Sequence, residues 1–188
     1  MNLKPRFIFF ILIIFWTVLF SCKDSQTGLV NVTLPPSKYA AEYQKASILL
    51  QNNKPLEAIS VYKDLCRIED DSLKTYSYMG LGSAYLISNY YQNAFESYNK
   101  SITLNSKNAE SYVGLGSISY KLQDYKKATT YYNLAKNINP NSSNSYWGLA
   151  LSYDKLNIND SAKANAKRFI ELEPASKYRS AIEQILQK

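Results

Sequence analysis

Apolar positions along this chain fall into three patterns. The first is an unbroken run from Phe7 to Phe20, with Thr17 as its one hydroxyl. The second is a recurrence every 34 residues. Tyr78, Tyr112 and Tyr146 keep that interval, as do Leu81, Leu115 and Leu149. Small residues keep it too, at Gly82, Gly116 and Ala150 and again at Ala94, Ala128 and Ala162. Tyr98 and Tyr132 follow, with Ala166 in the third copy, and the copies close on Ser106, Pro140 and Pro174. The third pattern is a stripe at i, i+3, i+4, i+7 and i+8 formed by Tyr178, Ala181, Ile182, Ile185 and Leu186. That spacing predicts one amphipathic helix over 177–187. A fixed period of this length predicts stacked units, each burying its apolar face against its neighbours.

The recurring residues resemble the tetratricopeptide repeat: a large residue, then Leu-Gly, then Tyr, followed by Ala, Phe or Tyr, Ala and a closing Pro. Copies fall at 75–108, 109–142 and 143–176. A degenerate copy precedes them at 39–72, carried by Ala46, Leu49, Ala58, Tyr62 and Leu65, with Leu73-Lys74 as an insertion. The resemblance implies an all-α chain. It would be a right-handed superhelix of about four helix pairs over 38–176, closed by a capping helix in 177–188. Nine helices are expected. Gly or Ala at the eighth position lets paired helices approach closely. Tyr78, Tyr112, Tyr146, Tyr98 and Tyr132 are expected in the core, and Tyr85 and Tyr153 between neighbouring repeats. Asn89, Asp124 and Asn159 stand where a side chain can cap a second helix.

The first pattern reads as an address. Lys4 and Arg6 precede an apolar run too short for a bilayer-crossing helix, which needs roughly 20 residues. Leu19-Phe20-Ser21-Cys22 closes it and resembles a bacterial lipobox of the relaxed kind found in Bacteroidetes and spirochaetes. The resemblance implies a signal peptide over 1–21 and a mature chain that begins at a lipidated Cys22. Residues 22–37, ending in Pro35-Pro36-Ser37, are expected to form a flexible tether. Lys23 stands where Asp would signal inner-membrane retention. A Gram-negative outer membrane, facing periplasm or cell surface, is therefore the expected location.

Composition narrows the chemistry. The 188 residues include no His, which removes the usual general base and the commonest metal ligand. Two Cys cannot build a Cys-rich zinc site. No Gly-rich phosphate loop is present. The chain is expected not to be an enzyme and to need no metal or cofactor. Its net charge of +7 falls to +5 without Lys4 and Arg6, and the charges are scattered, so nucleic acid is not an expected partner. Lys163, Lys167, Arg168, Lys177 and Arg179 read as a solvated outer face. Cys66, between Leu65 and Ile68, reads as a buried free thiol.

By the same resemblance, positions 2, 5, 9, 12 and 13 of each repeat line a concave groove. Glu110 and Asn144 hold two of these positions. The residues expected to meet a partner are Tyr43, Tyr76, Met79, Ser83, Val113, Ser117, Tyr120, Lys121, Trp147, Leu151, Asp154 and Lys155. Trp147 and Tyr120 are the foremost, since large aromatics dominate binding hot spots. Packing of Trp147 against the last helix is the competing role. Ser47, Ser83, Ser117 and Leu151 occupy the ninth positions, so the chaperone-tail carboxylate clamp is not expected. The implied function is a membrane-anchored scaffold. Its groove would hold an extended or helical segment of an envelope protein, in envelope assembly or secretion. Two further partners fit the pattern: cell-wall glycan or peptidoglycan stacked on the groove aromatics, and a second copy docked on the open first repeat.

Overall fold

A computed structural model describes residues 38–188. The signal peptide, Cys22 and the tether expected at 1–37 lie outside the described residues. Among those described there are nine α-helices and no strand. They are α1 (Ala40–Gln51), α2 (Pro55–Leu65), α3 (Asp71–Ile87), α4 (Tyr91–Leu104), α5 (Ala109–Lys121), α6 (Tyr125–Ile138), α7 (Ser143–Lys155), α8 (Asn159–Leu172) and α9 (Arg179–Leu186). Each helix packs on the next, giving four pairs and a closing helix. The fold is the expected all-α superhelix.

Local chemistry sets the turns. Within the four pairs the chain reverses through Asn53, Asn89, Gln123 and Asn157, each left-handed with φ between 56° and 63°. Three of the four are Asn, the non-glycine residue that tolerates this region best. Asn89 therefore makes the turn and does not cap α4. Its side chain accepts a hydrogen bond from the Tyr91 hydroxyl. Asn159 is likewise the first residue of α8, behind Ile158. Asp124 does cap α6, accepting from the Lys127 N–H at 3.0 Å. Asp70 and Asn108 cap α3 and α5 in the same way, through the N–H groups of Leu73 and Ser111. Pro55 opens α2, where a missing N–H costs nothing.

The insertion at Leu73-Lys74 is not a loop. It lies inside α3, the longest helix at 17 residues, which starts one turn ahead of the repeat frame behind Asp70. Leu73 is buried there, and that burial favours helix over bulge.

Successive pairs are locked by tyrosine on glycine. The Tyr98 ring of α4 lies against Gly82 of its own pair and Gly114 of the next. Tyr132 of α6 lies in the same way between Gly116 and Gly148, and Tyr62 of α2 lies against Gly80. A Cβ on Gly114 would stand 2.2 Å from the Tyr98 ring, well inside contact distance. In the last pair Ala166 replaces the tyrosine, and Phe169 with α9 fills the volume.

Tyr98 and Tyr132 are core residues, as expected. Tyr78, Tyr112 and Tyr146 are only half-buried. They sit at the edge of the pair interfaces, and the Tyr146 hydroxyl reaches out to the Pro140 carbonyl. Tyr85 packs against the first and second core clusters at once, and Tyr153 against the last two. Both join neighbouring repeats. Cys66 is buried and free, and burial pushes its thiol up to about 12. In α9, Ile182 and Ile185 are buried and Leu186 is half-buried, but Ala181, expected on the same stripe, is exposed.

Candidate functional site

Helix contacts define an inner and an outer layer. The first helices touch one another in series, α1 to α3, α3 to α5 and α5 to α7, and α9 continues the series from α7. The backbones of the second helices α2, α4, α6 and α8 do not approach one another this closely, and α4 and α6 meet through long side chains, Lys127 over the Phe95 ring. The array therefore curves toward its first helices, and these line the concave face.

Along that face the residues are half-buried, as a groove wall must be. Tyr76, Ser83, Val113, Ser117, Tyr120, Trp147, Leu151 and Asp154 are all of this kind. Lys121 and Lys155 stand exposed at one rim. Tyr43 and Met79 do not belong to the surface. Tyr43 is 6% exposed, and its ring meets the Tyr62 ring edge-on with centroids 5.4 Å apart. Met79 is 8% exposed and packs with Leu86, Leu115 and Ile118. Both were expected at the groove. Each instead closes the seam between adjacent first helices from beneath.

Trp147 takes the competing role weighed for it. Its ring lies 5.3 Å from Phe169 and 4.8 Å from Tyr178, centroid to centroid, with tilts of 41° and 31°. The start of α9 thus covers part of the indole. Tyr120 meets Tyr125 edge-on at 5.3 Å. Burial raises its hydroxyl pKa, and the nearby Tyr125 and Asp154 act in the same direction.

The ninth positions have a role that was not foreseen. Ser83 Oγ donates to the Met79 carbonyl at 3.2 Å and lies 3.0 Å from the Tyr98 hydroxyl. A serine hydroxyl has one hydrogen, so Tyr98 is the donor to Ser83. Ser117 repeats this with the Val113 carbonyl and the Tyr132 hydroxyl, at 3.0 Å and 3.1 Å. Both tyrosines are core, and their hydroxyls are met from the groove side by serines that are themselves half-buried. The spacing of 15 residues between Ser and Tyr, present in both copies, is the signal that could have revealed it.

Two carboxylates complete the face. Glu110 is half-buried in the first turn of α5. Loss of water raises its pKa to about 7, against a smaller opposing effect of a side-chain hydrogen bond with Asn144. Asp154, at the other end of α7, has a side chain 17% exposed. Lys188 Nζ donates to both its oxygens, at 2.6 Å and 2.8 Å.

The basic residues toward the C-terminal side are partly neutralised. Arg168 pairs with Glu171 and Arg179 with Glu183. Among the described residues no group of His, Cys, Asp and Glu is placed to hold a metal ion. No described helix is long and apolar enough to cross a membrane.

Residues 75–108 and 109–142 match the tetratricopeptide repeat family. No curated protein matches the chain in sequence. Solved structures share the fold at low identity. A MamA structure from Desulfovibrio magneticus is 18% identical, covering 80% of this chain and 89% of its own, with a TM-score of 0.61. YrrB, described as a TPR protein with an unusual peptide-binding site, is 19% identical over 77% of this chain and 72% of its own, with a TM-score of 0.58. The second TPR domain of human RPAP3, solved with an HSP70 peptide, is 19% identical over 63% of this chain and 99% of its own, also at 0.58.

Proposed function

We propose that this chain is a membrane-anchored scaffold that holds an extended or helical segment of an envelope protein along its concave face. The observation that carries the reading is the continuous inner layer of first helices. It presents Tyr76, Val113, Tyr120 and Leu151 half-buried, beside serine hydroxyls already anchored to the backbone. Such a surface offers apolar area at low ordering cost, which favours capture of a segment. The peptide complexes of RPAP3 and the peptide site of YrrB support a peptide as the occupant.

Anchoring rests on the sequence. Cys22, at the end of the Phe7–Phe20 run, carries the lipid, and the outer membrane is the destination. Two or more acyl chains on one residue would hold it durably, since one chain alone is marginal. Envelope assembly or secretion is the setting that follows.

A photocrosslinker at position 117 tests the groove, with the exposed Lys126 position of α6 as control. One envelope protein captured from 117 and not from 126 is expected. Identical products from both positions would remove the concave face from the account. Metabolic labelling with an alkyne fatty acid tests the anchor: label should enter the native chain and be absent from Cys22→Ala. Glycan is the weaker reading, because the Trp147 face needed for sugar stacking lies against Phe169 and Tyr178.

A further inference from the structure

If the concave face binds a segment, its charges select which segments bind. Lys121 and Lys155, at equivalent positions of neighbouring repeats, are exposed, and Lys188 is held on Asp154. The two carboxylates lie deeper, on α5 and α7. We propose that Glu110 and Asp154 are specificity-determining residues that select a partner segment carrying two basic side chains, one seated at each carboxylate. The proposal rests on the groove-binding reading above.

Three observations carry it. Glu110 is a half-buried carboxylate in the first turn of α5, hydrogen-bonded with the neutral Asn144 side chain of α7. A desolvated carboxylate in that state gains more from an incoming ammonium or guanidinium than an exposed one does. Asp154 already holds an ammonium, with Lys188 Nζ bonded to both of its oxygens. The chain thus displays, in cis, the contact proposed for a partner. Between the two acids lie Val113, Trp147 and Leu151, apolar and half-buried, suited to the stems of long basic side chains or to an apolar residue between them.

The fold also sets a spacing. Glu110 is at the second position of its repeat and Asp154 at the twelfth of the next. Ten residues of helical rise, about 15 Å, separate their levels. Neighbouring helix axes add about 10 Å across. The carboxylates therefore stand roughly 18 Å apart by this geometry. An extended segment bridges that distance with basic residues about five or six apart, and a helical one with residues about twelve apart. Lys188 is then a competitor that a partner must displace from Asp154.

The test is selection from a random 16-residue peptide display library on the full chain in detergent micelles, repeated on Glu110→Gln and Asp154→Asn. Both replacements are isosteric, and a thermal melt by circular dichroism verifies that each variant is folded. Selected peptides should carry paired Lys or Arg at one of the two spacings. Their affinity should fall about tenfold with either variant, as expected when a charge-assisted hydrogen bond is lost. Lys188→Gln should tighten the same peptides by up to about fivefold, the ceiling for an exposed ion pair. Peptides that crosslink to position 117 without basic enrichment, and bind Glu110→Gln as well as the native chain, would overturn this proposal and leave the groove reading standing. Unchanged affinity in Lys188→Gln would overturn the competition. A library that yields no binder would overturn both readings.

Discussion

Gly114 and Glu110 are the residues on which packing and electrostatics bear most sharply. The Tyr98 ring occupies the space a Gly114 side chain would need, and Gly82 closes the other side of that ring. The ring has nowhere to retreat. Gly114→Ala is expected to destabilise the chain by about 1–3 kcal/mol, the cost of overpacking, measured by urea denaturation. The helix-propensity gain from Gly to Ala, roughly 1 kcal/mol, works against this and does not outweigh it. For Glu110 the folded pKa of about 7 lies above the ordinary glutamate value. Between those values the native state binds more protons than the unfolded one, so stability falls as pH rises. The penalty is absent below about pH 4 and fully present above about pH 7. Glu110→Gln should remove it. Its stability advantage over the native chain should grow from near zero at pH 4 to about 3 kcal/mol at pH 8, read from denaturation midpoints across that range. An advantage independent of pH would show that the carboxylate is solvated.

At the scale of the element, α9 is where composition and role diverge. It is eight residues long, too short to persist alone. Its hold on the fold is Ile182 and Ile185, set against Ala162, Ala166 and Phe169 in one cluster. Ile182→Ala should cost about 2–4 kcal/mol locally, as for a large-to-small change in a core. Trp147 is the one tryptophan among the described residues, and Tyr178 at the start of α9 covers it. Its fluorescence should therefore move to longer wavelength in the variant before global unfolding. Emission that shifts only with the global transition would mean that α9 is not a separable lid on the last repeat. The inter-pair seams follow different rules. Ser101, Ser111 and Asn108 form a buried hydrogen-bonded group between α4 and α5, tied to the Thr75 carbonyl. A buried polar group of this kind must be satisfied as a set, which fixes the register of one pair on the next.

The described residues share no single core. The buried ones form four clusters in chain order, each spanning one or two neighbouring pairs. Contacts run only between near neighbours in sequence, so stability is approximately a sum along one dimension. Hydrogen exchange should follow that profile. Amides of α3 to α6, which have pairs on both sides, should be the most protected, and those of α1 and α9 the least. Uniform protection from α1 to α9 would contradict the one-dimensional picture and imply a single cooperative unit.

Much of this architecture was legible before any coordinates, for reasons that lie in particular residues. The interval between Tyr98 and Tyr132, and between Gly82 and Gly116, is a packing constraint that adjoining copies share, so it is written in residue identity, and the last copy departs from it with Ala150 and Ala166. The early start of α3 at Asp71 was less legible, because Leu73 announces burial only once α3 has a neighbour to bury it against. The groove was legible as a set of positions and not as a surface. Tyr43 and Met79 hold groove positions by count, yet Tyr43 packs on Tyr62 and Met79 clusters with Leu115 and Ile118, which buries both. Trp147 and Asp154 hold groove positions by count, and the return of α9 with Lys188 decided what covers them. The sequence alone determined the repeat, its helices and the small residues between them, since those obey local periodicity and volume. Tertiary structure decided which side chains remain open to a partner and which carboxylate loses its water, since both depend on how residues far apart in the chain come to face one another.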